Sequence, residues 1–251
     1  FRSSTVNPFT VQEIAVALKG TNKPVLVKNP VNPDLALWIG ALERLLGQDV
    51  KNLGVIHRGF SSYQKTKYRN LPNWQIALDF KHQFPNIPMF VDPSHICGRR
   101  DLLSDVTQEA FNVGYEGAMI ESHCNPDAAW SDAAQQITPE VLAEMLGNLQ
   151  IRNSDISGFD EEMGKHRALI SDIDFQLIEL LSNRMKISEK IGALKKENNI
   201  AIFQPDRWKV IAEYASARAE ESGMGKDFIE KVFKAIHEES IEVQNNIMID
   251  K

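Results

Sequence analysis

Residues 89–136 read MFVDPSHICGRRDLLSDVTQEAFNVGYEGAMIESHCNPDAAWSDAAQQ. Two short apolar runs, 88–91 and 117–120, stop abruptly at ionisable residues: Asp92-Pro93-Ser94-His95 after the first, Glu121-Ser122-His123 after the second. One helix-length segment, 102–114, separates them. A buried strand, a polar strand end, a helix and a second buried strand make the βαβ rhythm of a parallel sheet, whose chemistry collects at the carboxyl ends of its strands. In that arrangement the His95 imidazole and the Glu121 and Asp132 carboxylates converge on one divalent cation. His123, two residues beyond Glu121, is read as structural.

The same rhythm repeats upstream. Residues 24–28 (PVLVK) and 53–56 (LGVI) are short strands, ending at Lys28-Asn29-Pro30 and His57-Arg58-Gly59-Phe60. Helical patterns cover 11–19, 33–46 and 74–83, and a last one covers 139–149 with Thr138 as its cap. Residues 24–150 are thus four consecutive strand–helix units with Lys28, Arg58, His95 and Glu121 at successive strand ends. A single cation after a strand is ordinarily just solvated, whereas four charged groups in a row at one rim fit the active face of a (β/α)8 barrel. Two cations beside a metal suit a phosphorylated, carboxylated small substrate. Four units make half a barrel, and its open parallel edges need a partner: an N-terminal half or another chain. The opening Phe1-Arg2-Ser3-Ser4, without an initiator Met, reads as though something upstream were missing.

Charge and composition narrow the function classes. A net charge of −6 argues against a broad nucleic-acid or anionic-membrane footprint. No apolar run approaches the roughly 18–20 residues of a membrane span, and no signal peptide opens the chain. The reading is a cytoplasmic protein. Cys97 and Cys124, the only cysteines, are read as two small buried hydrophobes rather than metal ligands or reactive thiols.

Composition shifts at Ile151. Residues 151–159 are a polar linker, and from 160 onward helix periods replace strands. One helix is expected over 160–197, ended by Asn198-Asn199; a second runs from Pro205 to Glu221; a third covers 226–248. The first carries a long apolar stripe that includes Ile170, Ile173, Leu177 and Leu180, too long to bury against two shorter helices, so a partner chain is expected. At about 100° per residue, Arg184 and Lys195 share a face, whereas Arg167 points about 100° away and cannot meet the same ligand from one copy. Arg207 follows on the second helix, and Ser240 and Gln244 are i,i+4 neighbours on the third. Spacing alone leaves two readings, surface cations on a helical dimer or a shared anion site, and favours the former.

Two resemblances then bear on function. The motifs LVKNP, IHRGFSS, VDPSH and MIES-H-NPD-AWSDAAQQ resemble the second half of type I 3-deoxy-D-arabino-heptulosonate-7-phosphate (DAHP) synthase over residues 2–150. The resemblance implies a barrel that condenses phosphoenolpyruvate with erythrose 4-phosphate. Arg2, Lys28 and Arg58 would hold phosphoenolpyruvate, and His95, Glu121 and Asp132 would be three metal ligands. This donor set suits Mn²⁺, Fe²⁺, Co²⁺ or Zn²⁺ more than Ca²⁺. The family's fourth ligand, a Cys, and its Lys-Pro-Arg-Thr loop lie in the half of the barrel that this sequence does not contain. A sister aldolase, which makes an eight-carbon sugar acid phosphate, is the alternative for this half. Within the domain expected over 160–251, residues 160–248, through HR-LISDID-QLIELLSNRMKISEKIGALKKE, PDRW and ESIEVQ, resemble a helical chorismate mutase, a family of intertwined dimers. There Arg184, Lys195, Arg207, Ser240 and Gln244 would hold chorismate, with Arg167 crossing into the neighbour's site, and no cofactor would be needed. Gln204 stands where some members have Asp. The implied whole is an α/β half-barrel followed by an all-α mutase domain that dimerises, with feedback by chorismate or prephenate. A helical domain that senses prephenate without turning it over is the rival from another class.

Overall fold

The computed structural model describes residues 5–63, 66–152 and 159–249. The chain divides into two compact units, Phe1–Asp155 and Ile156–Lys251. In the first, β1 (Val25–Lys28), β2 (Leu53–His57), β3 (Met89–Val91) and β4 (Gly117–Ala118) form one parallel sheet in the order β1-β2-β3-β4. Val27 pairs with Val55, Ile56 with Phe90 and Val91 with Ala118. The intervening helices are α1 (Pro8–Leu18), α2 (Leu35–Leu46), α3 (Trp74–Gln83), α4 (Pro93–Cys97), α5 (Leu103–Asn112) and α6 (Pro139–Asn148). This is a partial (β/α) barrel.

Local chemistry sets most helix starts. Asn7, Asp34, Asp92 and Thr138 each accept a backbone N–H of the first turn, and Pro8, Pro93 and Pro139 follow their caps at a position where the missing N–H costs nothing. Val25, Val27, Leu53, Val55, Met89 and Val91 supply the sheet's share of the core, which closes with Trp38, Leu42, Phe80 and Leu103. The Trp38 and Phe80 rings are 4.6 Å apart. Truncating one of these fully buried side chains to Ala costs about 2–5 kcal/mol.

Beyond shifts of one to three residues at element ends, three details depart from the sequence reading. The last strand stops at Ala118 rather than residue 120, because the Glu121 amide donates to the Ser94 hydroxyl at 3.0 Å instead of to a neighbouring strand. His95 lies not on a strand end but in α4, a short helix between β3 and α5 that hydrophobic periodicity cannot reveal. Cys97 is buried, as expected, and burial pushes its thiol up to about 12, whereas Cys124 is exposed and so is not a core residue.

Among the described residues the second unit holds three helices: α7 (Asp160–Glu197), α8 (Pro205–Glu221) and α9 (Lys226–Ile249). α9 packs on both others. Gly192 of α7 lets the backbone of α9 approach closely, since a Cβ there would sit 3.1 Å from the Gln244 Cα. Ala215, Ala219 and Ile229, with Phe233, make a small α8–α9 core. From 164 to 180 every residue of α7 is exposed, including Ile170, Ile173, Leu177 and Leu180. Among the described residues no helix is long and apolar enough to cross a membrane.

Candidate functional sites

The carboxyl ends of β1–β4 carry a connected set of charged groups. Asp92 is almost fully buried; it accepts from Lys28 Nζ at 2.7 Å and from the His95 amide and Nδ1 at 3.0 Å. Burial opposes its charge, but the hydrogen bonds from His95 and Lys28 outweigh burial and hold the carboxyl below the usual range. With Nδ1–H given to Asp92, the lone pair of His95 Nε2 is left for a cation.

His95, Glu121 and Asp132 bring one ligand atom each to within 4.8 Å of one another. The donor chemistry fits a first-row divalent ion. Gln135, buried, donates through Nε2 to Glu121 at 2.7 Å and accepts from Arg69 at 2.8 Å, while Arg69 also pairs with Asp132 at 2.8 Å.

Arg58 is 1% exposed, which removes the solvated reading of a lone cation after a strand. Asn29 accepts its backbone N–H at 2.7 Å, and Asn70 accepts from its guanidinium at 3.2 Å. Asn70 in turn donates to the His95 carbonyl at 2.6 Å. Two left-handed glycines make this approach possible. A Cβ on Gly59 (φ 75°) would lie 2.9 Å from Asn70, and one on Gly98 (φ 66°) would lie 2.6 Å from Arg69. The structure therefore brings Lys28, Arg58, His95, Glu121 and Asp132 to one rim; Arg2 lies outside the described residues. Asp92, Arg69, Asn70 and Gln135 were not singled out from sequence. The Asp92-Pro93 cap signature could have found the first, but no pattern marks the other three.

In the helical unit, α7, α8 and α9 enclose a cavity of about 340 Å³, within the range of small-ligand sites. Arg184, Lys195, Arg207, Gln204, Ser240 and Gln244 line it over an apolar floor that includes Ile187 and Ile191. No carboxylate is among its described lining residues. Arg184 donates to the Ser240 hydroxyl, and Lys195 to the Ile202 carbonyl at 2.6 Å. Burial, then the facing Arg207, lowers the Arg184 pKa, and burial lowers that of Lys195. Gln244 spends one N–H on the Ser240 carbonyl at 3.1 Å, and its buried Oε1 has no partner among the described residues. Five sequence-predicted residues thus meet. Arg167, exposed and far along α7, does not line the cavity of its own chain.

The chain thus pairs a parallel-sheet rim, with anchored cations and a metal-capable triad, with a helical unit around a cationic cavity. The sequence model of the DAHP synthetase I family matches residues 9–156, and the chain belongs to that family; the model of chorismate mutase type II matches residues 166–245. Among curated relatives, a phospho-2-dehydro-3-deoxyheptonate aldolase of Thermotoga maritima is 28% identical over 51% of this chain and 38% of its own length. A T-protein of Haemophilus influenzae is 28% identical over 35% of this chain and 23% of its own. A truncated 3-deoxy-D-arabino-heptulosonate 7-phosphate synthase from Thermotoga maritima shares the fold at TM-score 0.51 and 24% identity, over 64% of this chain and 57% of that one. The chain spans less than two thirds of the length of each.

Proposed function

We propose that the helical unit rearranges chorismate to prephenate, and that the α/β unit carries part of a site condensing phosphoenolpyruvate with erythrose 4-phosphate in the cytoplasm. The observation that carries the mutase reading is a cavity lined by three cations and no described carboxylate. A small dicarboxylate is the ligand such a lining selects. Arg184 and Arg207 take its carboxylates. Lys195 and the second N–H of the Gln244 amide meet charge as it builds on the breaking ether oxygen, in a site that also holds the substrate folded. No covalent intermediate is needed.

The exposed apolar face over residues 164–180 supports a homodimer whose second copy brings Arg167 to this cavity. In the α/β unit, Lys28 and Arg58 bind the phosphate and carboxylate of phosphoenolpyruvate, and His95, Glu121 and Asp132 hold a Mn, Fe, Co or Zn ion. When bound, that ion supplies Lewis-acid polarisation of the acceptor aldehyde. Asp92 fixes the imidazole and orients Lys28. Occupancy of the helical cavity by prephenate is proposed to restrain the α/β site.

The deciding measurement is chorismate turnover by the protein and by Arg184→Ala. The substitution should lower kcat/KM about 10²–10³-fold, the scale of losing one preorganised charged donor. Turnover untouched by it, or none in the unmodified protein, overturns the reading.

A further inference from the structure

The helical cavity holds a side chain that the proposed reaction leaves without a task. His237 of α9 lines the cavity one turn before Ser240. Its Nε2 is buried with no hydrogen-bond partner among the described residues. The ring is fixed by stacking instead: it lies on Trp208 of α8 with centroids 4.4 Å apart and planes 20° from parallel, and Phe203 stands 6.1 Å away. A buried nitrogen left unpaired is unfavourable, and such atoms are rare enough in folded proteins to need an explanation. In a ligand cavity, the explanation at hand is the ligand.

The neighbours limit what that ligand atom is. Burial, then the charge of Arg184 and that of Lys195 against the opposing Glu238, depresses the imidazole pKa, so the ring is neutral at neutral pH. A neutral Nε2 carries a proton or a lone pair according to tautomer. A hydroxyl satisfies both, because it donates as well as accepts, whereas a carboxylate serves only one. Three cations already stand ready for the carboxylates.

We propose that His237 Nε2 hydrogen-bonds the ring hydroxyl of the dicarboxylate bound in this cavity, which makes His237 a specificity-determining residue held in register by Trp208. The identity of the ligand rests on the mutase reading above; the hydroxyl contact is tested separately from it.

The test compares the protein with His237→Phe, which keeps a stacking ring and removes the nitrogen, and with His237→Gln, which restores a polar group. Expected for His237→Phe is a KM for chorismate raised about 3–10-fold with kcat little changed, the range of one net hydrogen bond. An analogue lacking the ring hydroxyl should be handled alike by the protein and the Phe variant, since the partner is missing in both. Melting of the ligand-free Phe variant should be no lower than that of the parent, because an unpaired buried nitrogen has gone; a purely structural histidine would show the opposite. His237→Gln should recover part of the loss. Equal KM values for chorismate in parent and Phe variant, or an equal penalty for the deoxy analogue in both, overturns the proposal while leaving the mutase reading intact. If the parent binds prephenate without turnover, the same comparison is made on prephenate affinity, and an affinity unchanged in His237→Phe overturns the contact. A parent that neither turns over nor binds overturns both.

Discussion

His57 closes β2 with its ring fully buried among Trp38, Phe60, Trp74 and Tyr115. With the ring neutral both nitrogens are satisfied: Nε2–H donates to the Pro72 carbonyl at 2.7 Å, and Nδ1 accepts from the Tyr115 hydroxyl at 2.9 Å. Burial, opposed by the Pro72 hydrogen bond and reinforced by Arg58, lowers its pKa to about 4, while burial holds the Tyr115 hydroxyl well above its usual range as a donor. The sign follows. The unfolded chain takes up a proton near pH 6.5 that the folded chain refuses until about 4, so stability is complete above 6.5 and falls as the pH drops through that window. Between pH 7 and pH 5 the loss is on the order of 2 kcal/mol at about 1.36 kcal/mol per pH unit. Urea unfolding of the α/β unit at the two pH values should show it, and His57→Gln should flatten the dependence. If that variant folds poorly, ring titration by NMR decides, with a midpoint near 6.5 contradicting the argument. Asp92 acts in a separate window: its folded pKa is depressed, so the stability it contributes is present above the ordinary aspartate pKa and is lost as the pH falls through its lowered one.

At the level of elements, α7 has the plainest consequence. Ile173 and Leu177 lie four residues apart on one side of the helix and are 63% and 52% exposed. A stripe of this kind, uncovered by its own chain, is the surface that the proposed second copy would bury. If the proposed dimer forms, sedimentation equilibrium should find the protein dimeric and its Ile173→Glu, Leu177→Glu variant monomeric. Chorismate turnover should fall about 10²-fold, because Arg167 then reaches no neighbouring cavity; a monomeric variant with full activity would remove the crossing arginine from the site. The helices were the legible part of this molecule. Trp74–Gln83, Asp160–Glu197 and Pro205–Glu221 start and stop where apolar period and breakers say, because those signals are local. Arg184 and Lys195 were placed on one face by the same period, and both line the cavity. What escaped depends on tertiary contact or backbone detail. Asp132 adopts a left-handed φ of 49°, α4 is too short for periodicity, and Arg69-Asn70 reaches the rim only because distant Gly59 and Gly98 leave room. His237 looks like any helical histidine until Trp208 is seen against it.

For the molecule as a whole, two compact units in one chain with chemically different sites give a direct test of both sites at once. A ligand that binds only the folded form raises the stability of its own unit by about 2.7 kcal/mol at a hundred times its dissociation constant. Scanning calorimetry of the intact chain should therefore resolve two transitions: Mn²⁺ moves the one assigned to the α/β unit, and prephenate moves the one assigned to the helical unit. Glu121→Gln should abolish the first shift and leave the second, while Arg184→Ala should do the reverse. Feedback adds a further requirement. If prephenate restrains the α/β site, the coupling is reciprocal, so prephenate must also change the affinity for Mn²⁺ or phosphoenolpyruvate, typically 5–150-fold for couplings of about 1–3 kcal/mol. Titrating Mn²⁺ and phosphoenolpyruvate by calorimetry with and without saturating prephenate measures that factor. An unchanged affinity for both would separate the two units energetically and leave two independent sites in one chain.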